Sequence, residues 1–324
     1  MRGTLHVLSI IALVGFLTLV ATYSAGDVLS AFASLGWLLG LICLLHMVPL
    51  ALHTAAWAAL LPRDASCSFG ELLVLRWYGE SVTNLCPVTS IGGDILRGHL
   101  HERTGVPGPV AIGAVIVDLT TEVAGQIAFA GVALALLVLR TRDAGAALPI
   151  FSVLCLFSLL VFGFYHAQRR GLVARALGVM RRIAGVLGST DPAYVHALDR
   201  AIRRLYQRRR PVLFSGVLHF VAWSGGALQL YAAAAFLGHR MNWMDVLMLD
   251  GLITAVRAAA FMIPAGLGVQ EGGFILLAGL VGLSPEVALS LSLIRRVREL
   301  VFGIPGAMLW RTVGPPRRAG VINR

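Results

Sequence analysis

The sequence predicts an all-α polytopic membrane protein, with six transmembrane helices and two opposed re-entrant helical hairpins arranged as inverted repeats. Three observations predict it. Of 324 residues, 57% are hydrophobic and 13% charged, where an ordinary soluble domain is about a quarter charged. Several apolar runs exceed about 18 residues, the length that reads as bilayer-spanning. Two other apolar stretches are interrupted by Pro and Gly clusters that recur at one fixed spacing. A secreted disulfide scaffold, a nucleic-acid binder and a disordered chain are excluded. The net charge of +11 comes from Arg alone, since the chain has no Lys; Schiff-base and phosphate-loop lysine chemistry are therefore excluded. Cys43, Cys67, Cys86 and Cys155 form no CxxC pair and read as reduced thiols.

Spans are expected at 5–23, 37–61, 110–139, 148–165, 212–237 and 287–310. The first lacks a clear cleavage site and reads as a span, not a signal peptide. The stretch 168–210 carries eleven Arg against Asp191 and Asp199. The positive-inside bias makes it a cytoplasmic connector and puts both termini in the cytoplasm. It reads as one or two amphipathic surface helices, either a topology anchor or a headgroup reader. The whole chain reads as one membrane domain, with repeats at about 37–139 and 212–311.

The stretches 69–104 and 245–283 are apolar in part but broken. The first breaks around Pro87, Gly92 and Gly93, the second at Pro264, Gly266 and Gly268. Such backbone is tolerated at membrane depth only when buried in protein or lining a wet cavity, so both are expected as helix–break–helix hairpins. A shift of 177 residues carries Pro87 onto Pro264, Asp94 onto Glu271 and Glu122 onto Glu299; it also carries Glu80 onto Arg257 and Asp118 onto Arg295. Inverted repeats with broken helices are a transporter architecture, with the substrate path at the repeat interface.

Intramembrane charges are rare and need partners. Asp118 and Glu122 share one helix face, roughly 12–18 Å into their helix at 1.5 Å per residue. Arg295, Arg298 and Glu299 share a face of the last span. Two-fold geometry predicts the pairs Glu80–Arg257 and Asp118–Arg295. The charges either fix helix register or line a path for substrate or protons. Asp94 and Glu271 stand at the start of half-helices, where an acid can cap. Arg97 has Phe274 as its counterpart and is a candidate for an anionic headgroup, because guanidinium suits phosphate.

His46 and His53 share a helical face, but a metal site needs more ligands and none follows at metal-site spacing. No GxGxxG, GxSxG, CxxC, HExxH or DDxxD pattern occurs. No catalytic residue, metal or cofactor is expected, and the chain does not read as an enzyme.

Glu80, Asn84 and Pro87, followed by Gly92-Gly93-Asp94 and Arg97, resemble the first signature of the lysylphosphatidylglycerol synthase transmembrane, or flippase-like, family. Pro264-Ala265-Gly266-Leu267-Gly268 with Glu271 resembles its second. The resemblance covers about residues 5–311 and implies lipid handling or movement between leaflets. Full-length synthases of that family add a soluble aminoacyl-transferase domain; with only 14 residues after Trp310, none is expected here. Leu45–Leu50, Arg76-Trp77 and Val117–Glu122 look closest to a branch associated with hopanoid biosynthesis. The resemblance thus implies a bacterial inner-membrane protein. Its partners would be hopanoid, polyprenyl-derived or anionic lipids, together with lipid-biosynthesis enzymes. Two other readings stand beside a lipid conduit: a scaffold recruiting lipid-modifying enzymes through 168–210, and a membrane-embedded lipid transferase.

Overall fold

The computed structural model describes residues 36–62, 67–85, 92–142, 144–172, 176, 192–260, 263, 266 and 268–309. Among them there is no strand. The helices are α1 (Leu38–Leu45), α2 (Met47–Leu60), α3 (Phe69–Leu85), α4 (Gly92–Arg103), α5 (Gly108–Thr141), α6 (Ala144–Arg169), α7 (Pro192–Gln207), α8 (Arg209–Phe236), α9 (Trp243–Ala259), α10 (Val269–Ala278) and α11 (Pro285–Leu309). A 3-10 turn, Gly279–Val281, follows α10.

Four helical stretches are long and apolar enough to cross a bilayer: Gly40–Leu60, Gly108–Thr141, Leu148–Arg169 and Arg209–Phe236. They match four of the six expected spans, and the protein is a membrane protein. The expected span 5–23 lies outside the described residues. The sixth, α11, has 25 residues and is long enough to span. Arg295, Arg296, Arg298 and Glu299 make it more charged than the others. The span expected at 37–61 is interrupted at His46, where α1 gives way to α2. Pro49 in the first turn of α2 explains the break, because it has no N–H to continue the ladder back into α1.

The two broken stretches become helix pairs. In the first, α3 packs on α4; in the second, α9 packs on α10. Lipid tails give no hydrophobic drive between helices, so close approach through small residues takes over. A Cβ on Gly93 would overlap the Gly79 carbonyl oxygen, and one on Gly79 would stand 2.8 Å from the Gly93 oxygen. Only glycine at both positions lets α3 and α4 touch there. In the second break Gly266 and Gly268 take φ of 58° and 77°, left-handed values that glycine alone adopts readily. The predicted break residues Pro87 and Pro264 lie outside the described residues.

Packing alternates along the chain. α3 lies along α11, whereas α9 lies along α5; α4 packs on α5 and α10 on α11; α2 packs along α8. Two large apolar cores result, with a smaller third cluster of Ala133, Leu134, Leu137, Met248 and Leu252 between α5 and α9. One gathers Trp57, Leu75, Leu100, Val117 and Ile202 from α2, α3, α4, α5 and α7. The other gathers Ile42, Leu230, Leu249, Phe274 and Leu291 from α1, α8, α9, α10 and α11. Polar residues collect between them. Within the expected basic connector, α7 is amphipathic. It buries Leu198, Ile202 and Leu205 against α5 and exposes Arg200, Arg203 and Arg204.

Candidate functional site

A cavity of about 410 Å³ lies between the two cores. Its first wall is built from α2, α3, α4 and α5. Arg76 projects from the middle of α3, donating through Nη2 to Glu122 Oε2 at 2.6 Å and through Nη1 to Asp118 Oδ2 at 3.0 Å. Asp118 and Glu122, four apart on α5, face the same way. Arg97 on α4 donates to Asp118 Oδ2 and to Asp94 Oδ1, both at 2.8 Å. Its guanidinium also lies over the Trp57 ring, 4.7 Å from the centroid. With Arg97 1% exposed and Asp118 fully buried, this is a mutually satisfied cluster whose outer acids, Asp94 and Glu122, reach the cavity.

The second wall repeats the idea on α9, α10 and α11, with Trp223 and Gln229 of α8 beside them. Arg257 donates to Glu299 Oε1 at 2.7 Å and to Gln270 Oε1 at 2.5 Å. Arg296 donates to Glu271 at 3.0 Å, to Glu299 at 3.2 Å and to the Gly266 carbonyl at 3.0 Å. Arg296 therefore ties the broken backbone to α11. Glu271 in turn accepts from the Gly268 N–H at 2.8 Å, which caps α10 as an acid in that place can. Arg295 donates to Asp250 at 3.0 Å.

All these Arg–carboxylate pairs stay within one half of the chain. The expected cross-pairs Glu80–Arg257 and Asp118–Arg295 are not formed among the described residues. Arg257 closes instead on Glu299 and Arg295 on Asp250, acids of the same half, while Asp118 is taken by Arg76 and Arg97. Histidines join the halves instead. His46 Nε2 lies 2.7 Å from Glu80 Oε1, while Arg298 Nη1 lies 3.1 Å from His46 Nδ1. Arginine can only donate, so His46 accepts at Nδ1 and donates to Glu80 through Nε2. The second link runs from His53 to His219, Nδ1 to Nδ1 at 2.7 Å, and on from His219 Nε2 to Asp118 Oδ1 at 3.0 Å.

Of the residues singled out from sequence, Glu80, Asn84, Asp94, Arg97, Glu122, Arg257, Arg295, Arg298 and Glu299 line the cavity. Asp118 and Glu271 stand directly behind, fully buried. Asp94 sits in the first turn of α4, with Arg97 as its partner. Arg97 is engaged by two carboxylates, so it is not a free cation awaiting a headgroup. Sequence reasoning missed Arg76, His219, Asp250 and Arg296. Each is a polar group inside an apolar helix, and that rarity was the available signal. It also left His53 without further metal donors; folding brings His219 and Glu122 to it, with donor atoms of all three within 4.8 Å of one another.

On the second wall, Gln229 Nε2, Thr254 Oγ1, Arg295 Nε and Arg298 Nε are buried without hydrogen-bond partners, and all four residues line the cavity. Unpartnered buried donors cost about 1–3 kcal/mol each; these four atoms are closed off from the cavity as the side chains stand, and a turn of the side chain would bring them to an acceptor there.

The sequence model described as the lysylphosphatidylglycerol synthase TM region matches residues 5–306. The chain belongs to that family. No curated protein and no solved structure matches it. Membership makes this a lipid-handling membrane protein, and the charged cavity lies within the matched region.

Proposed function

We propose that this member of the lysylphosphatidylglycerol synthase transmembrane family moves a lipid headgroup between leaflets through the cavity, with the acyl or polyprenyl tail left in the bilayer. The observation that carries the reading is the set of unpartnered donors from Gln229, Thr254, Arg295 and Arg298 on one wall. Once their side chains turn toward the cavity, they offer hydrogen bonds to the oxygens of a phosphate, carboxylate or hydroxyl headgroup. The opposite wall offers no unpartnered buried donor among its described cavity-lining residues, so it holds the headgroup less tightly and allows its release.

In this reading the segments 37–139 and 212–311 are inverted repeats, and α3–α4 and α9–α10 are the two re-entrant hairpins. The swapped packing, α3 on α11 and α9 on α5, supports that arrangement. Passage needs no covalent step, so the protein acts as a flippase-like conduit and not as a transferase. The bacterial inner membrane comes from the family resemblance, and cytoplasmic termini from the arginine bias of 168–210. The hopanoid and polyprenyl lipid classes come from the resemblance at Leu45–Leu50 and Val117–Glu122.

The test is reconstitution in vesicles carrying a fluorescent-headgroup lipid, with an impermeant quencher reading the outer leaflet. Wild type should let quenching pass beyond the outer-leaflet half. Gln229→Leu and Thr254→Val, each removing one of these donors, should sharply reduce that gain while the protein still elutes as a folded species. Full movement in both variants sinks the assigned path. Deleting the α7 arginines should leave movement intact; its loss would favour the scaffold reading.

A further inference from the structure

We propose that His53, His219 and Glu122 form a binding site for a divalent transition-metal cation of the zinc class, set in the cavity wall between α2, α5 and α8. Two imidazole nitrogens and one carboxylate oxygen suit zinc, whereas magnesium and calcium prefer oxygen ligands throughout. His53 Nδ1 lies 2.7 Å from His219 Nδ1 and 3.7 Å from Glu122 Oε1. Zn–N bonds of about 2.0–2.1 Å put two tetrahedral ligand nitrogens about 3.3 Å apart. The imidazoles would part by about half an ångström; the carboxylate, within 4.8 Å of both imidazole nitrogens, would close by a similar amount on His53 and by about an ångström on His219, which side-chain rotation can supply.

The surroundings are those of a metal ligand set. A ligating histidine commonly donates its other N–H to a carboxylate, which fixes ring orientation and basicity. His219 does this, with Nε2 3.0 Å from Asp118 Oδ1, and Asp118 is itself held by Arg76 and Arg97. Arg76 holds Glu122 by Oε2 at 2.6 Å, leaving Oε1 for the ion. Charge favours a cation as well. Asp94, Asp118 and Glu122 face only Arg76 and Arg97 in this cluster, three negative charges against two positive. His53 and Glu122 line the cavity, which gives the ion its entry. The fourth coordination position faces that space, where water or a headgroup oxygen can complete the shell.

The site is tested by binding alone, apart from any lipid movement. Full-length protein in detergent, free of affinity tag and stripped with a chelator, is dialysed against Zn²⁺ and analysed for metal content. One zinc per chain is expected. Asp118→Asn should weaken binding about 10–100-fold, and His53→Ala and His219→Ala should abolish it; His99→Ala should bind as wild type. If the histidine variants fail to fold, Co²⁺ in the wild type carries the test, since a four-coordinate N/O site gives intense visible bands. Absence of saturable uptake by wild type, uptake unchanged in folded His53→Ala and His219→Ala, or only the weak bands of six-coordinate Co²⁺ would each overturn the proposal.

Discussion

Arg76 and Arg257 stand one helical turn out of register, yet each closes on the glutamate at the same place in its half. A shift of 177 carries Glu122 onto Glu299, but it carries Arg76 onto Ile253, four residues short of Arg257. The ion pairs are nonetheless alike, 2.6 Å for Arg76–Glu122 and 2.7 Å for Arg257–Glu299. The offset decides what else each guanidinium can reach. Arg76, deeper in α3, also takes Asp118 on α5. Arg257, near the end of α9, instead takes Gln270 on α10. One half is thus fastened through its long helix and the other through its broken one.

Removing Arg76 should expose how costly these acids are alone. Arg76→Met leaves Glu122 without its guanidinium and Asp118 with Arg97 and His219. Breaking a buried pair by deleting one partner costs about 3–5 kcal/mol, whereas replacing both partners is often near neutral. Thermal unfolding followed by tryptophan fluorescence should therefore show a large loss for Arg76→Met. Arg76→Met/Glu122→Gln should recover at least half of it. A double variant no better than the single would show that the Glu122 charge is not what Arg76 compensates.

The link between halves through His46 makes a separate prediction. Glu80 has His46 as its hydrogen-bonding partner, and Arg298 reaches His46 from α11 while also holding Gln229 at 2.5 Å. His46→Ala should cost about 1–3 kcal/mol by stranding Glu80, leaving the pairs within each half formed. Cysteines placed across α3 and α11 should then crosslink more slowly than in the parent, because the Arg298–His46 bridge between halves is lost. Unchanged crosslinking would assign the joint to packing alone.

The long elements were legible because apolar length is a one-dimensional signal: α2, α5, α6 and α8 each announce themselves by composition. Glu80, Asp94, Arg97, Asp118, Glu122, Arg257, Arg295, Arg298 and Glu299 were legible by their rarity in such surroundings; Arg76, Asp250 and Arg296 carry the same signal and were passed over. The partners of these groups were not legible. A two-fold shift predicts which positions are equivalent but not which side chains touch. It led to Glu80–Arg257 and Asp118–Arg295, where the neighbours in space are His46 and Asp250. His219 and Asp118 are 101 residues apart, and nothing local in either helix marks the other. Arg296 sits next to Arg295 but points to Glu271 on the broken helix, a choice made by helix phase once α10 has docked.

Outside the spans, α7 carries a titratable group with a readable signature. Burial pushes the Tyr206 phenol up to about 12, above its ordinary value near 10. The neutral phenol donates to Gln168 Oε1 at 2.7 Å. An acid whose folded value is raised binds its proton more tightly when folded. Its contribution is full below about pH 10 and is lost as pH rises toward 12. Stability of the wild type should fall across that window, and Tyr206→Phe should flatten the fall. Ultraviolet titration should show one tyrosine ionising later than the rest; identical curves for wild type and variant would remove Tyr206 as its source.

The crossing of α3 and α4 admits no side chain at all, so the smallest possible addition should be costly there. Gly93→Ala drives a methyl into the Gly79 carbonyl oxygen and beside the Thr83 hydroxyl. Backbone cannot rotate out of the way as a side chain can, so the helices must part, and overpacking of this kind costs about 1–3 kcal/mol or more. Parting them also shifts Arg97, one turn further along α4, off Asp118. Gly131→Ala on α5 meets nothing within 4 Å and gains helix propensity of up to about 1 kcal/mol. The two alanines should therefore move the unfolding midpoint in opposite directions. If Gly93→Ala unfolds with the wild-type midpoint, the half-helices do not meet at this contact.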